Sequence, residues 1–147
     1  MQATLSYTGG EAGSSWLAET DSGHQLTLDG SPEIGGQNKG PRPLELMLLG
    51  TAGCTAMDVL SILRKKRQAV HDCKITISAE RAESHPKVFT KIHVHFTVIG
   101  EGVKEAAVER AIELSHTKYC SAYAMLSATA EMSSSFEVVE SLLPSAP

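Results

Sequence analysis

The feature that most constrains this chain is the stretch from Leu44 to Leu63, "LELMLLGTAGCTAMDVLSIL", in which only Glu45 and Asp58 carry charge. An apolar run of this length is either a membrane span or a helix that needs cover on nearly every side. The two carboxylates argue against a span, because an acid at bilayer depth is costly. A buried central helix is the expected structure. Pro43 opens it at a first-turn position, where a missing N–H costs nothing. Arg64, Lys65, Lys66 and Arg67 close it, as cations that complement the carbonyl end of the helix dipole. That role accounts for the one dense basic run, so it needs no phosphate or membrane partner.

The chain has 147 residues, the usual size of one domain, and we expect a single domain over 1–147. Seventeen acids against thirteen bases give a formal charge of −4 and no broad cationic face, which argues against nucleic-acid binding. The start, "MQATLSYTGG", lacks the charged and apolar regions of an export signal. Three cysteines are too few for a secreted disulfide scaffold. A cytoplasmic, reducing setting follows, in which any disulfide is transient and functional.

Residues 3–28 alternate weakly, broken by "GGEAGSS" and "TDSGH", which predicts two or three short strands. Residues 29–43, "DGSPEIGGQNKGPRP", read as a loop without regular structure. Cys73, Ile75, Ile77 and Ala79 alternate with polar residues, as do Ile92, Val94, Phe96 and Val98 after the turn "AESHPK". This is a hairpin of half-buried strands. Residues 103–116 have helical spacing, "KYCSAYAML" turns into a short helix, and "ATAEMSSSFEVVE" forms a last strand. Helices and strands do not alternate one for one, so the fold class is α+β.

The cysteines are the candidates for chemistry. Cys73 lies on the apolar face of its strand and reads as a small core residue. Cys120 precedes the short helix, whose N–H groups favour a thiolate, with Lys118 and His116 close enough in sequence to add positive charge. On local chemistry it is the cysteine to pick as reactive, with a packed, inert thiol as the equal alternative. Cys54 lies well inside its helix, with Gly50, Thr51, Met57 and Asp58 as its helical neighbours. Small residues around it either admit another helix or leave a pocket for a substrate. His93 and His95 share one strand face and could share a metal, although a solvated polar face is simpler. A metal site joining Cys54 and Cys120 to His116 or a strand histidine matches no zinc spacing. "GGQNKG" satisfies no phosphate-binding template.

The stretches "GGQNKGPRPLELMLLGTAGC" and "KYCSAYAMLSATAEM" resemble the OsmC/Ohr family, the osmotically inducible and organic hydroperoxide resistance proteins. The order of elements agrees along essentially the whole chain, and the sequence is most similar to an OsmC-like branch. The resemblance implies an intertwined homodimer with curved antiparallel sheets around long buried central helices and active sites at the subunit interface. It implies reduction of organic hydroperoxides, with Cys54 as the attacking thiol and Cys120 as the resolving one. A lipoyl-type dithiol would then open the disulfide, with no metal or organic cofactor. The family's activating arginine and orienting glutamate are expected at Ile34 and Leu44, so these roles pass to Arg42 or Lys39 and to Glu45. The other reading is a catalytically weak protein that binds an apolar small molecule in the interface pocket, with both cysteines silent.

Overall fold

The computed structural model describes residues 1–142, and the chain divides into two compact units, Met1–Met47 and Leu48–Pro147. In the first, strands β1 (Ala3–Tyr7), β2 (Trp16–Thr20) and β3 (Gln25–Leu28) form an antiparallel meander in that order. Tyr7 stands opposite Trp16, and their rings meet edge to face at 5.3 Å. Every residue of β1 is exposed in the single chain.

The loop after β3 is more ordered than its composition suggests. It contains a 3₁₀ turn at Pro32–Ile34, ended by Gly35 at φ 85°, a left-handed conformation that suits glycine. Its organiser is Asp29, 2% exposed, whose carboxylate accepts from the Ser14 hydroxyl at 2.7 Å and from the N–H groups of Gly30, Gln37 and Lys39. The Ser14 hydroxyl above all, then the Lys39 and Gln37 amides, hold this carboxyl well below the usual range. An aspartate that satisfies several amides supplies order that a glycine-rich sequence does not advertise.

Helix α1 spans Pro43–Lys65, beginning at the expected proline. It stops inside the basic run, where Arg67 adopts a left-handed φ of 56° and its N–H returns to the Arg64 carbonyl at 2.9 Å. Thr51, Thr55, Val59 and Leu63, four apart, make its buried stripe together with Ala52. Cover on every side is not achieved within one chain. Met47, Leu49 and Met57 are 47%, 59% and 75% exposed. By length and composition α1 could cross a membrane, but its buried stripe and interior polar contacts are those of a core helix.

The predicted hairpin is β4 (Ala69–Arg81) with β5 (Phe89–Glu101), antiparallel, with irregularities at Val70/Asp72 and Glu80/Arg81. The last strand, β6 (Glu131–Glu140), pairs with β5 in parallel, Lys91 opposite Glu131 through Gly100 opposite Glu140. This corrects the expectation of wholly antiparallel sheets. Between the two strands lie helix α2 (Glu105–Leu114), a π-helical turn (Ser115–Tyr119) and helix α3 (Ser121–Leu126), and a crossover of that size allows parallel neighbours. β5 is the central strand of this mixed sheet, and its Ile92, Val94, Phe96 and Val98 are fully buried. Val59 and Leu63 of α1 and Val108 and Ala111 of α2 are also fully buried.

Candidate active site

Two elements of the second unit build the site. In α1, Cys54 and Asp58 are four residues apart and therefore share a face, while Thr55 points inward and is fully buried. After α2 the chain widens into the π turn, which buries Ser115 and delivers Cys120 as the N-cap of α3. Such widened turns are rare, and they re-aim the residues that follow. The result is a triangle: the sulfurs of Cys54 and Cys120 and a carboxylate oxygen of Asp58 lie within 4.8 Å of one another. All three cysteines are free thiols.

Buried hydroxyls hold the triangle. Ser115 Oγ donates to Asp58 Oδ2 at 3.0 Å, which leaves its oxygen to accept from Thr55 Oγ1 at 2.9 Å. Cys54 is half-buried, whereas Cys120 is 2% exposed and its sulfur accepts a hydrogen bond from the Tyr123 N–H at 3.4 Å.

That environment overturns the local reading of Cys120 as a ready thiolate. Burial first, then its hydrogen bond with Cys54, push the Cys120 thiol up to about 11, and the Asp58 charge adds to the rise. The Tyr123 amide acts in the opposite direction and does not prevail. One amide at the mouth of a helix as short as α3 cannot offset the loss of water around the sulfur. His116 adds no positive charge either. Its ring stacks on Tyr123 with centroids 3.8 Å apart and planes 10° apart, and burial lowers it to about 4, so it is neutral at pH 7. Lys118 lies over the Tyr119 ring at 5.3 Å.

The remaining candidates fall elsewhere. Cys73 is half-buried, and burial followed by the neighbouring Asp72 raises its thiol, as suits a core cysteine. His93 bonds the hydroxyls of Ser133 and Ser135 at 2.7 Å, and His95 bonds Ser135 and faces Glu137 at 3.6 Å. Both belong to the polar face of the mixed sheet. Among the described residues, the side chains close enough to share one metal ion are Cys54, Asp58 and Cys120, with no histidine. Arg42 and Glu45, in the first unit, pair with each other: Arg42 Nη1 is 3.6 Å from Glu45 Oε1, and the Arg42 N–H donates to Oε2 at 2.9 Å. Lys39, also in the first unit, is held by its backbone N–H to Asp29.

Sequence reasoning gave Asp58 no role, although its spacing from Cys54 was a usable signal. Ser115 and Tyr123 had none, since their place depends on the π turn. A family model described as "OsmC-like protein" matches residues 36–135. This chain belongs to the OsmC-like family. As an OsmC-like protein it is 43% identical over 139 residues to Protein YhfA of Escherichia coli K12, covering 95% of this chain and 98% of that one. A hypothetical protein from Aquifex aeolicus, known as a crystal structure, is 34% identical with a TM-score of 0.82, covering 95% and 96% of the two chains. The organic hydroperoxide resistance protein OhrB of Bacillus subtilis shares the fold at 19% identity and a TM-score of 0.61, covering 93% and 98%. The α+β fold of this chain is that of OsmC-like proteins.

Proposed function

We propose that this OsmC-like chain is a thiol-dependent peroxidase that reduces organic hydroperoxides through Cys54 and Cys120 in oxidative-stress defence. The observation that carries the reading is the approach of the two sulfurs to within 4.8 Å, a gap that side-chain rotation has to close to the about 2.0 Å of a disulfide bond. The half-buried Cys54 attacks the distal peroxide oxygen, the O–O bond breaks, an alcohol leaves and a sulfenic acid remains. Cys120 then attacks that sulfur, the S–S bond forms and water departs, and a lipoyl-type dithiol reduces the disulfide. Cys120 must give up its proton to attack, so its raised thiol makes this resolving step the slow one. The name of the Bacillus subtilis relative, an organic hydroperoxide resistance protein, supports the substrate class.

The paired Arg42 and Glu45, with Lys39, are our candidates for activating and orienting the site. We read both compact units as parts of one OsmC-like domain over 1–147, since the family model crosses their boundary. We place the chain in a reducing cytoplasmic setting, in which a Cys54–Cys120 disulfide is transient. Stopped-flow mixing with cumene hydroperoxide tests the proposal. Thiol consumption should exceed that of free cysteine by at least two orders of magnitude and vanish in Cys54→Ser, while Cys120→Ser should stop at a sulfenic acid trappable by dimedone. Thiol loss no faster than free cysteine would sink it. The raised Cys120 thiol also favours the alternative of silent cysteines around an apolar ligand. In that case native mass spectrometry finds a small molecule whose affinity Cys54→Ser leaves unchanged.

A further inference from the structure

The triangle of Cys54, Asp58 and Cys120 is also a donor set, and its geometry points past the exchange of electrons between two sulfurs. Two thiols and a carboxylate converge from two different elements onto one point, with ligand atoms no more than 4.8 Å apart. In a tetrahedral zinc site, bonds of about 2.3 Å to sulfur and about 2.0–2.2 Å to oxygen set those atoms roughly 3.5–3.8 Å from one another. Closing the triangle onto an ion therefore asks for side-chain shifts of about an ångström, without movement of a helix. Cys54 and Asp58 are already aligned four residues apart on α1.

The hydroxyls behind Asp58 provide a second observation. Ser115 and Thr55 are fully buried, and their hydrogen bonds run in series, Thr55 to Ser115 to Asp58 Oδ2. The chain anchors the carboxylate by its Oδ2. Outer partners of this kind orient the carboxylates of metal sites.

We propose that Cys54, Asp58 and Cys120 bind a soft divalent metal ion of the zinc class, held by two thiolates and one carboxylate with a fourth position open to water. Binding releases one proton from each thiol, so the occupied site carries a net charge of −1. Thiolate donors select zinc or cadmium over magnesium and calcium. Metal binding and disulfide formation draw on the same sulfur electrons, so the two states exclude each other. This assignment uses the dithiol geometry but does not require reaction with hydroperoxides.

The test is titration of the reduced, chelator-washed, full-length protein with Cd²⁺ under anaerobic conditions, following thiolate-to-metal absorption in the ultraviolet. Zn²⁺ affinity is then read by competition with a chromophoric chelator. The expected result is one ion per chain, unchanged in Cys73→Ser. Cys54→Ser should lower Zn²⁺ affinity at least 100-fold, Asp58→Asn about 10- to 100-fold, and Ser115→Ala up to about tenfold. No saturable binding, or equal affinity in wild type, Cys54→Ser and Asp58→Asn, overturns the proposal. Because Cys120 is buried and its variant is the one at risk of misfolding, Cys54→Ser and the isosteric Asp58→Asn carry the test, each checked by circular dichroism. The stopped-flow assay on metal-free protein reports separately on the hydroperoxide reading, so either can fail alone.

Discussion

His116 shows how a single residue's chemistry is set by its surroundings. Its imidazole lies flat on Tyr123, near Phe96, and its Nε2 is buried without a hydrogen-bond partner. Burial holds the folded-state value down to about 4, against 6.5 for an ordinary histidine. As pH falls below about 6.5 the unfolded chain takes up this proton and the folded chain does not. Stability from this group is therefore complete above about 6.5 and is lost as pH falls toward 4, by at most about 2–3 kcal/mol. Urea unfolding at pH 7.5 and 4.5 should show this loss, and His116→Phe should reduce it; an unchanged pH slope would place the effect elsewhere. Cys120 is read the same way: its sequence neighbours promised cations, and the fold supplied a dry site and a carboxylate instead.

Among the elements, the π turn between α2 and α3 decides whether the site exists. It carries one more residue than an α turn would need, so deleting Thr117 should convert it to regular helix and remove the bond from the Cys120 N–H to the Ser115 carbonyl that seats the thiol. We expect the deletion variant to stay folded by circular dichroism. Its Cys54–Cys120 disulfide, formed with diamide and read by peptide mass spectrometry, should form at least tenfold more slowly than in wild type. Equal rates would show that the turn does not place the sulfur. α1 and β5 were legible beforehand because their periods of four and of two are written in the residues. The 3₁₀ turn at Pro32–Ile34 and the parallel seating of β6 were not, since one rests on the amides gathered by Asp29 and the other on a crossover.

For the whole molecule, the outward residues of α1 are the informative ones. Leu49 and Met57 are 59% and 75% exposed in a helix whose opposite stripe is completely buried. Apolar surface of this kind on a monomer marks an interaction face. We therefore expect a homodimer, in line with the family resemblance, and light scattering should give twice the 15.7 kDa chain mass. Leu49→Asp with Met57→Asp should shift the mass toward one chain, and a dimer indifferent to both would place the interface on another surface.

The sequence by itself determined the α-helices and strands of this protein, the ends of its central helix and the fact that two cysteines sit in unusual local settings. Those properties depend on neighbours a few residues away, and the chain spells them out. Tertiary structure alone decided what the cysteines meet. Asp58 reaches the sulfur of Cys120, Ser115 reaches Asp58, and Tyr123 rather than a cation faces the thiol. These contacts join α1 to residues far along the chain, and the pKa of a thiol follows the water and charge around it in space.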